Sequence, residues 1–201
     1  SDDRVADYVT GAKTMARYAD YLTVNISSPN TPGLRALQDK SALDDLLAAV
    51  MDAREDATPV FLKVAPDLEP ADIDDIVAVS IERGIEALIV SNTTISRPDL
   101  HSRHAGEAGG LSGAPLCSLA LQRLRDFRVA SGSKITLIGV GGISSGADAY
   151  VRIRAGASLV QLYSALVYKG PWLAAKINRE LISLLDRDGF SNISEAVGAD
   201  N

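Results

Sequence analysis

Asn25, Asn30 and Asn92 each carry a side-chain amide, and Ser28 stands between the first two in Asn25-Ile26-Ser27-Ser28-Pro29-Asn30-Thr31. A primary amide offers a donor and an acceptor in one plane. Three of them suit a flat ring that alternates C=O and N–H, such as a pyrimidinedione. Ser28 has a hydroxyl that could move a proton, although its spacing equally suits a turn or an N-cap serine. No histidine is close in sequence to serve as its base, which argues against a hydrolase triad. Lys63 interrupts the apolar run Phe61-Leu62-Lys63-Val64-Ala65. On an edge strand it would be a surface group; facing a barrel interior it would need an anionic partner, such as a ligand that turns negative during reaction. Gly139 to Gly146 reads G-V-G-G-I-S-S-G between strand and helix patterns. Backbone N–H groups in such a turn can cradle a phosphate. It is not the dinucleotide fingerprint, because Ser144 takes the place of the third glycine.

These residues need elements to position them. Five short apolar runs stand out: Tyr21 to Ile26, Val60 to Val64, Ala87 to Val90, Thr136 to Val140 and Leu159 to Tyr163. They are too short for helices and apolar on both faces, which predicts parallel strands covered on both sides. Helical patterns alternate with them: Asp3 to Tyr18; Leu43 to Arg54 with Ser41 as N-cap; Ala71 to Arg83 after Pro70 and before Gly84; Ser145 to Arg154 closed by Gly156; and Pro171 to Asp186. The βα repetition fits an open doubly wound sheet or five-eighths of a (β/α)₈ barrel. In both, the site lies at the carboxyl ends of the strands. Polar residues collect there: Asn25 to Thr31, Lys63 to Asp67, Ser91-Asn92-Thr93-Thr94, the glycine run, and Tyr163-Ser164. Five such ends in one chain point to a polar ligand. Trp172 and Cys117 read as packing residues, and the loop with His101, Arg103 and His104 as solvated.

Composition excludes other classes. The 201 residues, 46% apolar and 23% charged, are enough for one globular domain with a core. A net charge of −6 without a dense Lys/Arg run argues against nucleic acid. One cysteine and two histidines provide no internal disulfide and poor metal ligands, so no metal is expected. No apolar run approaches the ~18 residues that span a bilayer. No signal peptide opens the chain, and its start at Ser1 rather than Met reads as a piece of a longer protein.

The motifs together carry a resemblance. Asn25 to Arg35 resembles the catalytic loop of quinone-dependent (class 2) dihydroorotate dehydrogenases. Lys63-Val64-Ala65-Pro66-Asp67-Leu68, Ser91-Asn92-Thr93-Thr94, Gly109-Gly110-Leu111-Ser112-Gly113, Ile138 to Ile143 and Ala155 to Tyr163 follow in the family's order, so the resemblance covers nearly the whole chain. It implies a (β/α)₈ TIM barrel, residues 1–201 being the C-terminal portion of one FMN-binding domain. It also implies oxidation of dihydroorotate to orotate in pyrimidine synthesis, with hydride to flavin N5 and a quinone as acceptor. Ser28 would be the catalytic base, where class 1 relatives place Cys, and Thr31 is a candidate relay for its proton. Asn25 would touch flavin and substrate; Asn30, Asn92 and Thr93 would hold the orotate ring. Lys63, Ser91 and Gly113 would contact the flavin, and Gly142, Tyr163 and Ser164 its phosphate end. The family's earlier strands and its membrane-touching N-terminal helices are not in this chain. The whole protein is therefore expected on the cytoplasmic face of a bacterial inner membrane, or on the mitochondrial inner membrane, with this piece itself soluble. Two other readings stay open: another FMN barrel oxidoreductase, and an inactive barrel fragment that only binds or assembles.

Overall fold

Strands form where the β-branched runs predict them. In the computed structural model, which describes residues 3–54, 57–98 and 100–201, β1 is Leu22–Asn25, β2 Val60–Val64, β3 Ala87–Val90, β4 Thr136–Val140 and β5 Leu159–Gln161. Three runs match end to end; the first and last are shorter than their apolar stretches because the flanking residues turn into loops. All neighbours are parallel, in the order β1-β2-β3-β4-β5. A doubly wound sheet would reverse its order at a switch point. An unreversed order is the arc of a (β/α)₈ barrel, which decides between the two architectures.

Alternation across the strands separates two faces. Leu62, Val64, Leu88, Val90 and Leu137 point outward into the main core, under the helices. Phe61, Ala87, Ile89, Ile138 and Val140 make a second, smaller cluster on the inner face. Only β3 is buried along its whole length; β2 alternates between buried and half-buried positions. The expectation of strands covered on both sides is thus corrected for β1, β2 and β5, the last of which has no buried position. The inner face of a barrel is covered by opposite strands and by ligand rather than by helices.

The helices are α1 (Arg4–Met15), α2 (Lys40–Ala53), α3 (Pro70–Glu82), α4 (Cys117–Ser131), α5 (Gly146–Arg154), α6 (Ser164–Lys169), α7 (Leu173–Asp188) and α8 (Ile193–Ala196). Asp39, not Ser41, caps α2: its carboxylate accepts the Ser41 N–H at 3.2 Å. Ser145 lies outside α5 as its cap. α4 carries buried Ala120, Leu124 and Phe127 at helical spacing, a stripe that the sequence analysis did not assign. Trp172, expected to pack, is 79% exposed at the start of α7; the helix buries Leu173 and Ile177 instead. Cys117 is half-buried at the first position of α4 rather than in the core. Among the described residues no helix is long and apolar enough to cross a membrane.

Candidate active site

The carboxyl ends of β1, β2 and β3 bring the amides together. Asn25 Oδ1 accepts the Ser27 hydroxyl at 2.9 Å and an Asn92 Nδ2–H at 3.2 Å. Asn92 Nδ2 also donates to Ser27 Oγ at 3.0 Å. This triangle joins the loops after β1 and β3, and its third member, Ser27, is fully buried. Sequence reading gave Ser27 no role. The Tyr8 hydroxyl, from α1, donates to the Asn25 carbonyl at 2.6 Å and pins the end of β1.

Ser28 is half-buried beside the triangle, and its Oγ accepts the Asn30 N–H at 3.3 Å. No hydrogen bond joins it to Thr31 among the described residues. Thr31 is exposed on the same open cleft as Ser28, so the expected relay has proximity but no direct bond behind it. Asn30 is exposed, and the loop after β3 approaches it closely: a Cβ at Gly109 would stand 3.2 Å from Asn30 Oδ1, a tight contact. The same loop covers Thr93: a Cβ at Gly110 would sit 1.9 Å from Thr93 Oγ1.

Lys63 is paired in register with Asn25 on one side and Ile89 on the other. It is half-buried, and burial pushes its ammonium below the ordinary lysine range with no opposing partner among the described residues. It faces a cleft of about 430 Å³ also lined by Ser91, Asn92, Thr93, Gly113, Gly142, Tyr163 and Ser164. Every flavin-contact residue predicted from sequence except Asn25 lines this cleft. Asn25 and Ser28 line a neighbouring open cleft of about 860 Å³ with Arg4, Tyr8 and Pro32, along the unpaired edge of β1. The Asn25–Asn92 bond stands where the two clefts meet.

At the far end of the smaller cleft, Gly141 and Gly142 take φ of 114° and 71°, so the β4–α5 turn is open to glycine and strained for other residues. Behind it Arg152, 1% exposed, donates from Nη2 to the carbonyls of Gly141 at 2.8 Å and Cys117 at 2.7 Å. The Gly141 carbonyl is thus engaged behind the turn, while the Ser144 and Gly146 N–H groups donate to the Asp148 and Glu180 carboxylates at 2.9 Å and 2.6 Å. Sequence reading missed Arg152, which looks like any other helix arginine. A lysine with no partner among the described residues at one end of the cleft, and a glycine turn backed by a buried guanidinium at the other, fit a flat cofactor with an anionic ring and a phosphate.

Arg35 and Asp67 belong to two of the motifs that carry the resemblance. Arg35 Nη1 contacts Asp67 Oδ2 at 2.9 Å. Burial pushes the Asp67 carboxyl up, but the Thr94 hydroxyl, the Ile95 N–H and Arg35 outweigh it and hold it below the usual carboxylate range.

Known proteins share this architecture. A family model described as dihydroorotate dehydrogenase matches residues 1–185. The chain is 66% identical to "Dihydroorotate dehydrogenase (quinone)" of Sphingopyxis alaskensis over 99% of its own length and 56% of that protein's. It is 51% identical to the mitochondrial protein so named from Oryza sativa, covering 45% of it. A solved structure titled as DHODH in complex with ferulenol, from Eimeria tenella, superposes with a TM-score of 0.96 at 37% identity, over the whole of this chain and 59% of that one. The chain thus spans about half the length of the relatives it matches.

Proposed function

The chain belongs to the dihydroorotate dehydrogenase family, and we propose that residues 1–201 are the C-terminal portion of one FMN-binding barrel domain that oxidises dihydroorotate to orotate and delivers the electrons to a quinone, in pyrimidine synthesis. One observation carries this reading: Asn25, Ser28, Lys63 and Asn92 converge at three adjacent strand ends where two clefts meet, and the Lys63 ammonium there has no partner among the described residues. Membrane contact, on the bacterial inner membrane or its mitochondrial counterpart, belongs in this reading to a segment outside these residues.

Lys63, Ser91, Gly113, Gly142, Tyr163 and Ser164 hold the flavin, and bound FMN supplies the hydride acceptor. Asn25, Asn30, Asn92 and Thr93 hold the substrate ring through its C=O and N–H edges. Ser28 removes the ring-carbon proton. Serine is a weak base in water, and the Asn30 N–H donated to Ser28 Oγ favours an alkoxide-like oxygen there. The Lys63 ammonium stabilises negative charge as it develops in the cleft, where partial burial strengthens its field.

Ser28→Ala in the full-length, FMN-loaded protein tests the base. Stopped-flow absorbance should show flavin reduction by dihydroorotate slowed by ~10²–10⁴-fold, the usual worth of a general base. Reoxidation by quinone, which needs no such base, should be nearly unchanged. In the unmodified protein, reduction should quicken as pH rises, because a hydroxyl base works better as its proton leaves more readily. Reduction of the variant within a few-fold of the unmodified rate would make Ser28 a turn residue. A full-length protein that takes up no flavin would favour the binding-module reading.

A further inference from the structure

We propose that Arg35 and Asp67 are a positioning pair that sets the base-bearing loop after β1 against the ring-holding end of β3; this rests on the reading above. Backbone bonds reach as far as Asn92, whose N–H donates to the Val64 carbonyl at 2.9 Å, but among the described residues none joins the loop after β1 to the one after β3, yet Ser28 on one and Asn92 and Thr93 on the other must face the same ring. Arg35, in the short 3₁₀ turn Leu34–Gln38, bridges the gap with three nitrogens. Nε donates to the Ser27 carbonyl at 3.1 Å, Nη1 to Asp67 Oδ2 at 2.9 Å and Nη2 to the Thr93 carbonyl at 3.0 Å. Each contact is to a different loop, following β1, β2 and β3 in turn. Ser27 is one residue from the proposed base, and Thr93 is a proposed ring contact.

Asp67 extends the clasp. It accepts the Thr94 hydroxyl, the Ile95 N–H at 3.1 Å and the Ser96 hydroxyl at 3.2 Å, so the segment after Thr93 is fixed through the same carboxylate. The side chains are 21% and 13% exposed, largely out of water. A guanidinium is flat, and three of its N–H directions are used here at fixed angles; an ammonium cannot reproduce them. Neither residue lines either cleft. The pair carries no net charge, so its effect on the chemistry is geometric. Misplacing reacting groups by about 1 Å can cost ~10²-fold in rate while binding changes far less.

The test uses the full-length, FMN-loaded protein with Arg35→Lys, Asp67→Asn and both together. Arg35→Lys should slow flavin reduction by dihydroorotate by ~10–100-fold. Its orotate affinity, read from the flavin spectrum, should move by no more than about three-fold, and quinone reoxidation should hold. Hydrogen exchange should speed up across residues 26–36 and 92–96 with FMN still bound. The double variant should be no slower than the worse single one, as for residues acting as one unit. Should Arg35→Lys fail to fold, Thr94→Val, which removes one donor to Asp67, should show the same split at smaller size. Reduction within about two-fold of the unmodified rate overturns the pair. So does a parallel fall of reduction, flavin binding and reoxidation, the mark of a merely structural staple. If the unmodified protein does not reduce its flavin with dihydroorotate, the proposed reaction falls and takes the pair with it; the other two outcomes overturn the pair alone.

Discussion

Two adjacent serines illustrate how the site is read at the scale of single residues. Ser27 and Ser28 are identical in type and share the same polar stretch, yet Ser27 is fully buried in the amide triangle while Ser28 is half-buried on the cleft. Which of them turns inward depends on where β1 ends, and only the fold sets that. Lys63 shows the converse: a lysine amid apolar residues is conspicuous in sequence, and it lies in the cleft of about 430 Å³. Burial lowers its pKa, so the folded, unliganded chain holds that proton less tightly than the unfolded chain. The unfolded state then binds more protons between the lowered value and the free-lysine value of ~10.4, and stability rises with pH across that window. Below it the penalty is constant. Lys63→Met should therefore raise the Tm of the flavin-free chain at neutral pH, on the order of 1 °C for a half-buried amine in a chain of this size. Above pH ~10.4 the advantage should vanish, because both states of the unmodified chain are then neutral at this position. Flavin affinity should fall in the same variant. Scanning calorimetry at neutral and alkaline pH checks the first part and a flavin titration the second.

Helix boundaries belong to the scale of elements, and α2 is the informative case. Asp39 and Ser41 are both good N-cap residues at nearly the same place. The choice of Asp39 starts the helix earlier and places Leu43, Leu46, Leu47 and Val50 as one buried stripe on the sheet. Asp39→Ala should lower stability by about 1 kcal/mol, or roughly 2–4 °C in Tm. Ser41→Ala, inside the first turn, should be close to neutral. Thermal unfolding of the two variants side by side distinguishes the caps; equal losses would return the cap to Ser41. The unassigned α4 was visible in principle, since Ala120, Leu124 and Phe127 recur at helical spacing. Its signal is diluted by Arg123, Arg125 and Arg128 on the flanking faces.

For the whole molecule, the C-terminal region is joined to the barrel arc by a charged network. Tyr150 and Arg154 on α5 meet Asp188 at the end of α7, at 2.8 Å and 3.1 Å, and Arg154 also holds Asp200 at 2.5 Å. The Arg187 and Tyr150 hydrogen bonds and the nearby guanidinium charges outweigh the upward push of burial and hold Asp188 down at about 2. A lowered carboxyl stabilises the fold fully above the unfolded value of ~3.9 and loses that contribution as pH falls toward the folded value. The network should therefore weaken between about pH 4 and pH 2. Asp188→Asn should lower Tm at pH 7 and make little difference at pH 2, and a pH series of unfolding curves checks this. An equal effect at both pH values would mean that the carboxylate charge is not what holds α7.

The sequence by itself determined the βα alternation, the five strand cores and the polar strand ends, because apolar periodicity and turn chemistry are local properties of neighbouring residues. It also determined, through six ordered motifs, the family to which the chain belongs. Tertiary structure decided the rest. Strand order bore out the barrel arc that the resemblance implied and that the βα pattern by itself left open against a doubly wound sheet, since pairing is made between residues far apart in the chain. The same order brought Asn25, Lys63 and Asn92 from three strand ends to one place, aimed Arg35 across three loops, buried Arg152 behind the glycine turn and left Trp172 in solvent. The roles of Arg35, Arg152 and Trp172 are not visible along the chain, because an arginine or tryptophan acquires its role from the loops and helices that pack around it, and spacing records only which residues are near in sequence.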